Sequence, residues 1–173
     1  MTDGPEKIYI EDEDDGFSEE KNRKERVRVL VFMLGKESYC ANIGQVREVI
    51  KMPETTRVPN TPSFVLGVAN LRGEIISILD MHHFFGLEPQ GKSRDVRVVV
   101  TDVSGEAVGL WVDRVKDTIE IDEESIQVPL VTLKGNLAAS TRGQVAQGED
   151  ILVFLDLEKV LQCDEMQRLR KGE

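Results

Sequence analysis

The chain is poor in the residues that usually carry chemistry: among 173 residues there are two cysteines, two histidines and one tryptophan, and aromatic residues make up 5%. Cys40 and Cys163 lie far apart and neither belongs to a CxxC pair, which excludes a disulfide or zinc scaffold as the organising device. Both are read as reduced thiols packed in a core. His82 and His83 are sequence neighbours; on a helix they would point about 100° apart and could not easily hold one ion. They are expected on a helix surface. No apolar run approaches the ~20 residues that span a bilayer. The N-terminus is acidic, whereas a secretory leader starts basic and then turns apolar, so a cytosolic protein is expected, with no membrane insertion. No G-x-S-x-G elbow occurs, and no phosphate-binding loop is expected. Catalytic residues, metal and cofactor are all expected to be absent.

Basic charge is scarce as well. Residues 1–20 hold nine acidic side chains against the single Lys7, a charge of −8 out of the chain's −10. The body is therefore almost neutral and offers no surface for phosphates, which excludes nucleic acid as a favoured partner. The acidic segment, residues 1–25, has too few apolar residues to offset its ordering entropy and is expected to be a disordered tail. Solubilisation and the steering of a partner are both open to it.

What the chain does have is β-branched strands and an internal repeat. Val27 to Leu34 reads as a strand, apolar on both faces from Val29 onward, and residues 39–43 form the second arm of a hairpin. The pattern returns 69 residues later. Val98-Val99-Val100 matches Val29-Leu30-Val31, Ser104-Gly105-Glu106 matches Gly35-Lys36-Glu37, and Val115-Lys116-Asp117 matches Val46-Arg47-Glu48. Val128-Pro129 is aligned with Val58-Pro59, one residue off that offset. A second block, Glu74 to Asp80, returns 76 residues later as Asp150 to Asp156. Each copy ends in an aspartate poised to cap a short helix, at 81–85 and 157–161. Duplication of one small β unit, over 27–86 and 96–162, explains the register. Each unit has enough strands for a small barrel. Strands apolar on both faces call for a further core shared between the two. Residues 87–95 read as the linker, and 164–173 as a short helix or a frayed tail.

With no reaction centre in view, a binding surface remains. The densest candidate is Thr61 to Glu74, where Asn70 and Gly73 are turn formers and Arg72 is displayed between them. The second repeat has no counterpart of Asn70-Leu71-Arg72-Gly73. Arg72 could pair with Glu48 or Glu74, and such pairing would orient its guanidinium for a partner.

This stretch, above all Phe64 to Ile76, resembles the CheW-like family. Val46-Arg47-Glu48-Val49-Ile50, Thr61-Pro62, Trp111 to Val115 and Asp156 to Leu161 match further family motifs. The resemblance implies an all-β fold of two intertwined five-stranded SH3-like barrels with a shared hydrophobic core and few short helices, over residues 26–166, with 167–173 as a tail. It implies a non-catalytic adaptor that ties a CheA-type histidine kinase to the cytoplasmic tips of chemoreceptors, monomeric when free. Receptor contact is carried over to Arg72, Asn70, Val46 and Glu48, and kinase contact to an apolar loop surface near Thr56, Arg57, Val58, Phe64 and Leu66. The chain departs from the family pattern at Ser77, where proline is usual, and at His82, where arginine is common. It has no room for the kinase domain of CheA or the receiver domain of CheV, so a stand-alone adaptor is expected. It would serve chemotaxis or a related gliding or pilus-motility system. An unfamiliar β-barrel enzyme and an RNA-binding barrel are the readings from other classes.

Overall fold

The computed structural model describes residues 25–88, 94–129 and 132–170. The tail expected at the N-terminus, the middle of the linker and the last three residues lie outside the described residues. Ten strands account for most of the fold: β1 (Arg26–Leu34), β2 (Glu37–Asn42), β3 (Val46–Ile50), β4 (Val65–Leu71), β5 (Glu74–Asp80), β6 (Arg97–Val103), β7 (Glu106–Val112), β8 (Arg114–Asp122), β9 (Thr141–Gln147) and β10 (Asp150–Leu155). Four short helices accompany them: α1 (Met81–Phe85), α2 (Gly135–Ser140), α3 (Leu157–Gln162) and α4 (Asp164–Arg170). The last lies in the stretch read as a short helix or a frayed tail and runs four residues into 167–173.

The strands form two five-stranded sheets, ordered β8-β1-β2-β10-β9 and β3-β6-β7-β5-β4. All neighbours are antiparallel except β2 with β10 and β5 with β7. A single bridge brings the outer strand of each sheet back to the segment that follows its opposite edge, Thr56 to Val68 in one and Gln127 to Gln144 in the other. These are two SH3-like barrels. Their strand orders superpose when five is added to each strand number, counting cyclically, so the duplication read from the sequence is present in space. Its detail extends to irregularities: the β3–β6 and β1–β8 ladders slip at matching places, as do β4–β5 and β10–β9. The bridges align Thr56 with Gln127, an offset of 71, so the sequence pairing of Val58-Pro59 with Val128-Pro129 is one residue out of register.

The barrels are not the repeat units. One, the middle barrel, is continuous from β3 to β7; the other, the terminal barrel, is assembled from β1 and β2 together with β8, β9 and β10. The reason lies in the two apolar faces of each first hairpin. On β1 and β2, Val29, Val31 and Cys40 fill the terminal barrel, while Leu30, Phe32, Tyr39 and Ala41 face a large core between the barrels. On β6, Val98 and Val100 fill the middle barrel and Val99 joins the shared core. That core also takes α1 and α3 through Met81, Phe84, Phe85, Leu157, Val160 and Leu161. A strand buried on both faces needs a cover on each, and the interlocked arrangement supplies both.

Close approach, not flexibility, explains the matched glycines at the closing bridges. A Cβ on Gly67 would lie 2.3 Å from the Thr56 carbonyl oxygen, and one on Gly143 would lie 2.6 Å from that of Gln127. The two aspartates cap as expected: Asp80 accepts from the His82 N–H at 2.9 Å and Asp156 from the Glu158 N–H at 3.0 Å.

His82 overturns the expectation of a surface histidine. It is 1% exposed, with Nε2 2.8 Å from the Asp113 carboxylate and Nδ1 3.5 Å from that of Asp80. Neither contact has the geometry of a directed hydrogen bond. Trp111 packs edge-on against the ring. Asp113, at the bend between β7 and β8, also accepts from the Gly35 N–H in the β1–β2 turn, and its own N–H donates to the Met33 carbonyl. A helix that follows a middle-barrel strand is thereby tied to a hairpin of the terminal barrel.

Asp113→Ala should cost about 1–3 kcal/mol in chemical denaturation, because it removes the acceptor of the part-buried Gly35 N–H and the carboxylate that packs on the buried His82 ring. Cys40 is buried inside the terminal barrel, and burial raises its thiol pKa from 9.0 to about 12. It should resist a thiol reagent at pH 8 until the protein unfolds. The folded state holds this proton more tightly than the unfolded chain does, so the group's contribution is complete below pH 9 and falls away as pH rises through about 12. A denaturation series across that range would show the loss.

Candidate docking surface

The loop between β4 and β5 is as short as a hairpin allows. Leu71 pairs with Glu74, leaving Arg72 and Gly73 as the two turn residues. Both have positive φ, 52° and 89°, the mirror-image turn whose twist suits a hairpin and which favours Asn-Gly. Glycine meets that demand at the second position. Arginine at the first does not, since its Cβ is crowded in the left-handed region. Asn70 compensates from one side, its Oδ1 accepting the Gly73 N–H at 2.8 Å.

Arg72 extends from this turn with 75% of its side chain exposed, and its Nη2 lies 2.8 Å from Oε2 of Glu48, whose side chain is 22% exposed. The other oxygen, Oε1 of Glu48, is buried without a hydrogen-bond partner among the described residues. Two of the four residues expected to form a receptor site therefore touch directly, and Asn70 shapes the turn between them. Val46 stands two residues before Glu48 and is partly buried against the shared core. An ion pair this exposed contributes at most about 1 kcal/mol to stability, so its effect is to aim the guanidinium, not to hold the fold.

The residues expected at a kinase contact behave differently from one another. Thr56 and Arg57 are exposed, and Val58 and Leu66 are half-buried. Arg57 and Val58 line an open groove of about 290 Å³ that continues past Pro59 and Thr61. Phe64 is 5% exposed and packs edge-on against Phe84 in the shared core, so it supports the loop from beneath and offers no surface.

Sequence reading missed the neighbouring ion network. Nη1 of Arg47 lies 2.7 Å from Oε2 of Glu74 and its Nη2 lies 3.4 Å from Asp102. The hydrogen bond to Glu74, more than any other contact, raises the guanidinium's pKa. These groups are 27 and 55 residues apart, and no local spacing announces such a contact. The linker holds a second omission: Gly86-Leu87-Glu88-Pro89-Gln90-Gly91-Lys92-Ser93 spells G-x-x-x-x-G-K-S, the phosphate-loop pattern. A phosphate loop joins a strand to a helix N-terminus. Here Gly86 closes the C-terminus of α1 and the chain next enters β6, so the connection runs in the wrong order for that use.

Two barrels interlocked around a common core, one of them turning a charged hairpin outward, define the class as an intertwined double-barrel β protein. The chain belongs to the CheW-like family, whose domain model matches residues 28–165. It is similar to "Chemotaxis protein CheW" of Treponema pallidum, 33% identical over 84% of this chain and 88% of that one. It is also similar to the protein of the same name from Klebsiella aerogenes, 36% identical over 79% and 82%. Among solved structures, the "scaffolding protein TtCheW" of Thermoanaerobacter tengcongensis aligns with a TM-score of 0.73 at 33% identity, over 82% of this chain and 96% of that one. No helix among the described residues is long and apolar enough to cross a membrane.

Replacing Arg72 by glycine should relieve the left-handed strain and raise stability by about 1 kcal/mol, while Arg72→Ala should leave the strain in place. Thermal denaturation of the two variants side by side checks this; equal melting temperatures would show that the turn stores no strain.

Proposed function

We propose that this protein is a non-catalytic chemotaxis coupling adaptor, linking chemoreceptor cytoplasmic tips to a CheA-type histidine kinase. Membership of the CheW-like family and likeness to a scaffolding protein support the adaptor role. The observation that carries the receptor half is the Arg72 turn. A guanidinium is displayed at energetic cost in a left-handed position, oriented by one half-buried carboxylate, and left three-quarters open to solvent. Strain of this kind at an exposed residue is a mark of function, because folding gains nothing from it. Arg72 is the receptor handle, Glu48 its orienter, Asn70 the turn support and Val46 the apolar shoulder. The kinase surface is the loop of Thr56, Arg57 and Val58 with Leu66, backed by the buried Phe64. The adaptor acts in the cytoplasm, at membrane-associated receptor arrays, and is monomeric when free.

Coupling requires unequal affinity for kinase states, since an adaptor that binds both equally shifts neither.

Arg72→Ala should weaken binding to a purified receptor cytoplasmic fragment by about 1–3 kcal/mol, the loss of one charge-assisted contact. Affinity for the kinase and the circular dichroism spectrum should stay as in the parent. Unchanged receptor affinity, measured by calorimetry, would remove Arg72 from the site.

A further inference from the structure

Arg72 has two carboxylates within its neighbourhood in the chain, Glu48 across the barrel end and Glu74 two residues on. Only Glu48 pairs with it; Glu74 is taken by Arg47 at 2.7 Å. We propose that Arg47 is a positioning residue for receptor recognition: by holding Glu74, with Asp102 behind it, it keeps that carboxylate off Arg72 and leaves the guanidinium aimed by Glu48 alone. This rests on the reading of Arg72 as the receptor handle and adds to it a residue that does not itself need to touch the receptor.

Local geometry makes the arrangement possible. In the β3–β6 ladder Val46 pairs with Thr101 and Glu48 with Val100, so Arg47 is the extra residue of a bulge. A bulge re-aims side chains. Val46 turns to the shared core, Glu48 turns to Arg72, and Arg47 reaches past Asp102 to the start of β5. A guanidinium gripped by two carboxylates presents fewer free N–H donors and less net charge to an incoming acceptor. Arg47 prevents that double grip on Arg72 by supplying a competing cation.

The terminal barrel has the same bulge but not the same device. Lys116 occupies the position of Arg47, with its Nζ 3.4 Å from Ser38 Oγ. The turn equivalent to Arg72-Gly73 is Gly148-Glu149, which has no cation to protect. Among the described residues, the ion network and the displayed arginine thus occur together in one barrel and are absent together from the other.

The test uses the full chain, a purified receptor cytoplasmic fragment and isothermal calorimetry. Arg47→Ala should lower receptor affinity about tenfold, with kinase affinity unchanged. Adding Glu74→Gln to that variant should restore affinity to within about twofold, because the competing carboxylate is then neutral. A role of Arg47 in folding alone, or in direct contact with the receptor, would not be rescued by a change at Glu74. Failure of the double variant to recover therefore overturns the proposal, as does an Arg47→Ala variant that binds like the parent while Arg72→Ala does not. Arg47→Gln, which keeps the aliphatic stem, substitutes if the alanine variant fails to fold. If Arg72→Ala itself binds normally, the receptor reading falls, and that result is separate from either outcome at Arg47.

Discussion

The two parallel pairings, β2 beside β10 and β7 beside β5, are the constraint on which the rest depends. Each places a strand from one half of the chain against a strand of the other half, or against one from beyond its own hairpin, and each lies next to the shared core. Because the first hairpin of each repeat is apolar on both faces, a barrel that packed only its interior would leave Leu30, Phe32 and Tyr39, or Val99 and Leu110, facing water. At about 25 cal/mol per Å² of apolar surface, that exposure would cost more than a domain of this size can spare. The common interior removes the problem for both barrels at once, so neither barrel is expected to be stable without the other.

A duplicated scaffold with one displayed arginine is the consequence on which the proposed function rests. The bulges, closing bridges and close-approach glycines recur in both barrels, because they belong to the closure of the barrel. Among the described residues, the Arg72 turn, its Glu48 partner and the Arg47–Glu74–Asp102 network occur once. In the terminal barrel Asp117 stands where Glu48 does, and the turn carries Glu149. Under the proposed reading, an acceptor-bearing partner that docks on the guanidinium at one end would meet like charge at the other, and a pseudo-symmetric molecule would then have a single docking orientation.

Stability and recognition also draw on different kinds of electrostatics. The Asp80–His82–Asp113 cluster is buried and joins the barrels, so each of its members is costly to remove. The pairs around Arg72 are open to water and contribute little to folding. That separation would let a surface built around Arg72 vary without endangering the fold, and the strained residue lies at an exposed turn and not in the core.

Much of this was legible in the residues themselves. Alternation, β-branching and the repeated blocks placed β1, β2, β5, β6, β7 and β10 to within a few residues, because strand period and turn chemistry are local; β3, β4, β8 and β9 were not read as strands. The aspartate caps and the singular arginine turn were equally plain, since each is a pattern within a few positions of the chain. The tertiary structure alone decided which strands share a barrel, for the repeat marks what was duplicated and not what pairs with what. It alone put His82 in the interior and Phe64 beneath its loop, since burial depends on neighbours from other elements, such as Asp113 and Trp111 on His82 and Phe84 on Phe64. And it alone showed that Glu74 and Asp102 pair with Arg47 while Glu48 pairs with Arg72, because a choice among three carboxylates is made by distance in space, which the order of residues does not encode.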